Sequence, residues 1–130
     1  MVTILLVDDD ANLLFLVEEY LRSVFPDPHF EITVADNGKD GLEKFKKLNP
    51  DIIVSDFRMP GMDGLEMFER ILALCGEENV PGFILTSGYD KFAIKRRLCE
   101  YPAVSFLPKP YELLTLARII FAKLVGKEGG

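Results

Sequence analysis

Acidic side chains crowd one short stretch near the start of the chain, Asp8-Asp9-Asp10, and a lone acid, Asp56, closes the apolar run 51–55. Further on come two hydroxyls in Thr86-Ser87-Gly88 and a lysine between two prolines, Pro108-Lys109-Pro110. Brought to one place, Asp8, Asp9 and Asp56 would gather about three negative charges, which like-charge repulsion forbids without compensation. A divalent cation is the natural remedy. Mg²⁺ prefers one or two carboxylates plus waters and leaves positions open for phosphate oxygens. Lys109 adds a compact positive charge, with its flanking prolines restricting the backbone. A carboxylate can act as a nucleophile and form an acyl phosphate. That chemistry needs a metal, a lysine for the developing charge and a hydroxyl donor. Taken singly, each stretch has a commoner structural use. An acid after a strand caps a helix, Ser-Gly makes a turn, and a lysine beside proline is solvated.

Whether these residues meet depends on the elements that carry them. Five β-branched or aliphatic runs have strand length: Val2–Val7, Glu31–Ala35, Asp51–Ser55, Gly82–Thr86 and Ala103–Leu107. Three are nearly continuous in apolar residues, as strands buried on both faces require. Between them lie stretches with a 3.6-residue period. The first carries Leu13, Val17, Tyr20, Leu21 and Val24; the second Gly41, Phe45 and Leu48; the third Leu65, Phe68, Ile71, Leu72 and Cys75. A weaker fourth spans about Lys91–Glu100, and a fifth runs from about Tyr111 to Val125. Turn clusters at Asp36-Asn37-Gly38 and Asn49-Pro50-Asp51 separate them. Asp63-Gly64-Leu65-Glu66 has the form of a capping box opening the third helix. Strict alternation of strand and helix predicts an α/β fold, a parallel sheet covered on both faces. In such a sheet ligands bind beyond the carboxyl ends of the strands, and all four reactive stretches fall on that edge.

Composition narrows the function classes. At 130 residues the chain predicts one domain, with residues 127–130 as a disordered tail after a domain of 1–126. Apolar residues at 48% and charged residues at 28% suit an ordinary globular protein. The net charge of −6 makes a poor nucleic-acid or membrane binder. No apolar run reaches the ~18 residues of a membrane span, and the start lacks the basic residues and cleavage site of a signal peptide. A cytoplasmic location is therefore expected. Cys75 and Cys99 form no ligand pattern and read as buried or half-buried thiols. Neither G-x-G-x-x-G nor G-x-x-x-x-G-K-[ST] occurs, which disfavours a dinucleotide or P-loop site.

Asp8-Asp9 after a first strand, Asp56-Phe57-Arg58-Met59-Pro60-Gly61-Met62-Asp63-Gly64, Thr86-Ser87-Gly88 and Phe106-Leu107-Pro108-Lys109-Pro110 together resemble a response-regulator receiver domain of two-component signalling. The resemblance covers about residues 2–125. It implies a flavodoxin-like doubly wound (βα)5 fold with strand order 2-1-3-4-5. It implies that Asp56 is the phosphoacceptor for a histidine kinase or phosphotransfer protein. Asp9 would bind Mg²⁺ directly and Asp8 mainly through water, with Asp56 and the Arg58 carbonyl completing the protein ligands. Lys109 would pair with the acyl phosphate, and the Lys109-Pro110 bond would be cis. Asp10 would cap or support rather than ligate.

The hydroxyl that responds to phosphorylation stays open between two residues. Counting back from Lys109 favours Ser87, and counting forward from Asp56 favours Thr86. Thr86-Ser87-Gly88-Tyr89 resembles receivers whose Ser fills this place, so Ser87 is the choice. Phe106 stands where receivers carry the aromatic that swings inward on activation. The resemblance also implies signalling through the fourth helix, fifth strand and fifth helix, toward an output domain or a second copy. Lys91, Lys95, Arg96 and Arg97 on the fourth helix read as a solvated basic face or a docking face. On the fifth helix Leu113, Ala117, Ile120 and Leu124 can cover the sheet, while Leu114, Phe121 and Val125 point elsewhere.

Two competing functions remain. Asp8-x-Asp10 superficially fits a Mg²⁺-dependent phosphohydrolase with an Asp nucleophile, although the late acidic motif of that family is missing. A phosphorylation-independent interaction module is the other, although all the acids of a receiver are present.

Overall fold

The computed structural model describes residues 1–88 and 91–129, with residues 91–93 and 127–129 described by backbone alone. Strands β1 (Val2–Val7), β2 (Phe30–Ala35), β3 (Ile52–Asp56), β4 (Gly82–Ser87) and β5 (Val104–Pro108) alternate with helices. The helices are α1 (Ala11–Val24), α2 (Gly38–Leu48), α3 (Gly64–Cys75), α4 (Lys91–Leu98) and α5 (Leu113–Gly129). The strands form one parallel sheet in the order β2-β1-β3-β4-β5, the flavodoxin-like arrangement expected from the sequence.

Because successive strand residues face opposite sides, the sheet sorts its apolar side chains into two cores. Ile53, Phe83 and Leu85 pack with Leu42, Leu65, Phe68 and Ile71 on the α2–α3 side. Ile52, Val54 and Ile84 pack with Leu14, Leu21, Ala117 and Ile120 on the α1–α5 side. At about 1.5–3 kcal/mol for each fully buried large side chain, the two layers make the sheet a rigid platform for its edge.

Three of the strands end one residue later than their sequence pattern predicts. Asp56, Ser87 and Pro108 end β3, β4 and β5, where the expected runs stop at Ser55, Thr86 and Leu107. Pairing is carried by the backbone and ignores side-chain polarity, so the ladder extends to the reactive residues. The stripe of α1 also differs: Leu14 is buried, while Val24 at the end of the helix is 39% exposed. On α5, Leu116, Ala117 and Ile120 are buried, and Leu114, Phe121 and Val125 are exposed. Cys75 is half-buried, but Cys99, just past the end of α4, is exposed. The backbone of α5 continues through 127–129, and Gly130 lies outside the described residues. Among the described residues no helix is long and apolar enough to cross a membrane.

Local chemistry sets the ends that matter. Asp10 caps α1, accepting from the amides of Asn12 and Leu13 at 3.1 and 3.2 Å. Asn37 caps α2 through the Asp40 amide, so the first turn cluster is a helix start. Asn49 ends α2 at a φ of 47°, a left-handed conformation that Asn tolerates. Asp63 caps α3 through the Glu66 amide at 2.7 Å. Gly64 opens α3 against the strand end, where a Cβ would collide with the Asp56 carbonyl oxygen. Only glycine permits that approach.

Candidate functional site

The carboxyl edge of the sheet brings the acids together. Asp8 follows β1 and is 5% exposed; Asp56 ends β3 and is 8% exposed; Asp9 is exposed beside them. One carboxylate oxygen from each lies within 4.8 Å of the others. Lys109 reaches over from the end of β5, its Nζ 2.9 Å from Asp8 Oδ2 and 3.4 Å from Asp56 Oδ1. The Lys109-Pro110 bond is cis. The Lys109 amide donates to the Ser87 carbonyl at 2.8 Å, which seats the lysine at the end of β4.

Electrostatics follow from that crowding. Burial, and then the neighbouring Asp8, push the Asp56 carboxyl up to about 6, with Lys109 only partly offsetting the rise. Burial alone would lower the Lys109 ammonium, but its hydrogen bond to Asp8 and the charge of Asp56 raise it on balance. Lys109 is therefore a fixed cation. One cation against three nearby carboxylates leaves the cluster short of positive charge.

The donor set fits Mg²⁺. Carboxylate oxygens are hard ligands, and the ion binds through one or two of them while retaining waters. Asp8, Asp9 and Asp56 supply such oxygens. Arg58, expected to add its carbonyl, is exposed in the loop two residues past Asp56.

The two hydroxyls part company. The ladder pairs Asp56 with Thr86, and alternation sends both toward the α1–α5 side with Val54 and Ile84. Thr86 lines the same small cavity as Asp8 and Asp56. Ser87, also buried, follows Leu85 toward the other side. Phe106 pairs with Leu85 and is half-buried against the α2–α3 core. Tyr111, not singled out in the sequence, lines the Asp8–Asp56–Thr86 cavity as well. Its phenol is pushed up by burial, with Lys109 opposing. Its place two residues after Lys109, just past a proline, was the one available signal.

Asp10 does not join the cluster. Its Oδ1 accepts from the Asn12 and Leu13 amides as the cap of α1. Of the basic residues on α4, Lys95 and Arg96 are exposed, the Lys91 side chain lies outside the described residues, and Arg97 is bound to α3.

Known proteins are similar to this chain in sequence and fold. An uncharacterized 14.6 kDa protein of Leptolyngbya boryana is 32% identical over 117 residues, covering 90% of this chain and 86% of its own. A protein-glutamate methylesterase/protein-glutamine glutaminase of Aliivibrio fischeri is 36% identical over 112 residues, 85% of this chain and 28% of that protein. The chain thus spans less than a third of the methylesterases it matches. Among solved structures, the N-terminal domain of an uncharacterized protein from Wolinella succinogenes superposes with a TM-score of 0.85 at 29% identity, covering 99% of this chain and 98% of its own. A response regulator receiver domain protein from Methanospirillum hungatei has the same fold, with a TM-score of 0.86 at 24% identity and the same coverage. Residues 4–121 match the response regulator receiver domain family, and the chain belongs to that family.

Proposed function

We propose that the protein is a phosphorylation-controlled switch of the cytoplasm. Asp56 takes a phosphoryl group from a phosphohistidine on a sensor kinase or phosphotransfer protein. A carboxylate oxygen of Asp56 attacks the phosphorus, the P–N bond breaks, and the imidazole leaves with its electron pair. The result is an acyl phosphate. The observation that carries this reading is Asp56 itself: a nearly buried carboxylate at a strand end, 3.4 Å from Lys109 and within 4.8 Å of two further acids.

Each neighbour has a part. Asp8, Asp9, Asp56 and the Arg58 carbonyl would hold Mg²⁺, which offsets the charge of the phosphoryl oxygens when bound. Lys109 stands ready to take up the charge that develops on those oxygens. We assign the responding hydroxyl to Thr86 in place of Ser87, supported by its pairing with Asp56 and by the cavity that both line. The response is read out on α4, β5 and α5, where exposed Leu114, Phe121 and Val125 offer an apolar stripe to an output domain or a second copy.

The test is the chemistry of the product. Incubated with acetyl phosphate and Mg²⁺, the protein should gain a phosphoryl group that hydroxylamine removes, as it cleaves acyl phosphates. A phosphoryl group that survives hydroxylamine would place it on a hydroxyl and contradict the proposal.

A further inference from the structure

Arg97 on α4 reaches across to α3 with both arms of its guanidinium. One nitrogen stands 3.3 Å from Asp63 Oδ2 and the other 3.4 Å from Glu69 Oε1. The guanidinium carbon lies 5.7 Å from the centre of the Phe57 ring. Glu69 is itself held by the Tyr101 hydroxyl at 2.8 Å.

Phe57 and Asp63 are the two ends of the loop between β3 and α3. Phe57 directly follows Asp56; its amide donates to the Thr86 carbonyl at 2.7 Å and its carbonyl accepts from Gly64 at 2.8 Å. Asp63 caps α3 with its other oxygen. One side chain from α4 thus grips both ends of the loop that begins at Asp56 and contains Arg58. Half-exposed ion pairs are individually weak. A forked guanidinium that pairs with two acids while lying over an aromatic ring has a defined geometry, which a solvated basic face does not require.

Helix α4 also follows β4, whose Thr86 pairs with Asp56. Two connections therefore join α4 to the acidic site, one through the chain and one through Arg97. We propose that Arg97 is a positioning residue that ties the placement of α4 to the shape of loop 57–63. Occupancy of the acidic site and the position of α4 then bias each other, since coupling between sites is reciprocal. This rests on the phosphoacceptor reading of Asp56 and adds the mechanical link by which the site is regulated.

Two substitutions isolate the link. Arg97→Met keeps the aliphatic stem and removes the fork. Asp63→Asn keeps the helix cap and removes the charge. Amide hydrogen exchange of α4 is followed in the free protein and with Mg²⁺ plus beryllium fluoride as the phosphoryl probe. In the free protein either variant should speed α4 exchange about 3- to 10-fold, the scale of weak ion pairs acting with a cation–π contact. The double variant should add little to either, as for partners in one contact. With the probe, the wild type should change its α4 exchange, whereas both variants should lose most of that change and keep the protection around Asp56. Arg97→Lys, which keeps the charge without the fork, should restore the response only in part.

Unchanged α4 exchange in free Arg97→Met, an additive double variant, or a full α4 response in the variants would each overturn the coupling. A wild type without protection around Asp56 would instead sink the phosphoacceptor reading, and the free-protein comparison would still decide whether Arg97 holds α4.

Discussion

Thr86 lies directly opposite Asp56 in the β3–β4 ladder, and both face the cavity that Asp8 lines. Register therefore distinguishes two neighbouring hydroxyls that the sequence leaves open, and the proposed role of Thr86 rests on it. Thr86→Val, which keeps the shape and removes the hydroxyl, should leave Asp56 able to take a phosphoryl group but weaken the change around Phe106. The loss corresponds to about 0.5–1.5 kcal/mol for a neutral hydrogen bond and more for a charged acceptor. Ser87→Ala should respond like the wild type. Nuclear magnetic resonance shifts of Phe106, with and without a phosphoryl mimic, give the readout, and the reverse pattern would return the role to Ser87.

The raised Asp56 carboxyl, at about 6 against an ordinary 3.8, makes a prediction about stability. A carboxyl raised by folding contributes stability that is fully present below about pH 4 and lost as pH rises through about 6. Asp56→Asn removes that loss. In metal-free buffer the variant should melt above the wild type at pH 7.5, by no more than about 3 kcal/mol at about 1.4 kcal/mol per pKa unit. The advantage should vanish near pH 4, and Mg²⁺ should narrow it at pH 7.5. A variant that is no more stable than the wild type at pH 7.5 would show that Asp56 carries no such strain.

Lys109→Met should move two quantities in opposite directions. Removing the cation beside Asp8 and Asp56 leaves the carboxylates less compensated, so Mg²⁺ should bind more tightly in calorimetric titration. Phosphorylation by acetyl phosphate should slow about 10²–10³-fold, the usual effect of losing one preorganised charge donor. Labelling at the wild-type rate would remove Lys109 from the site.

Gly64→Ala tests the seat of α3. Its methyl group would press on the Asp56 carbonyl oxygen and on Leu85 and Ser55, and overpacking of this kind costs about 1–3 kcal/mol. Chemical denaturation should show that loss. A fully stable variant would mean that α3 can move off the strand end without penalty.

Much of this was legible in the residues, for identifiable reasons. The alternation of β-branched runs with helical periods fixes a parallel sheet, and a parallel sheet fixes the edge on which Asp8, Asp56 and Lys109 must meet. What periodicity cannot see is backbone pairing beyond the apolar run, and so Asp56, Ser87 and Pro108 fell just outside the strands that they end. The same blind spot left Thr86 and Ser87 unresolved, because their difference is a matter of register with Asp56. Arg97 was legible only as one member of a basic helix. Its partners Asp63 and Glu69 are distant in sequence, and pairing over that span has no local signal. Cys99 misled for a related reason, since apolar character says nothing of whether a neighbouring element arrives to cover it.

The most direct measurement of the central claim is the intact mass of the protein after acetyl phosphate and Mg²⁺, beside Asp56→Asn treated in the same way. A single added phosphoryl group on the wild type and none on the variant is the predicted result. Equal labelling of the two would contradict Asp56 as the phosphoacceptor.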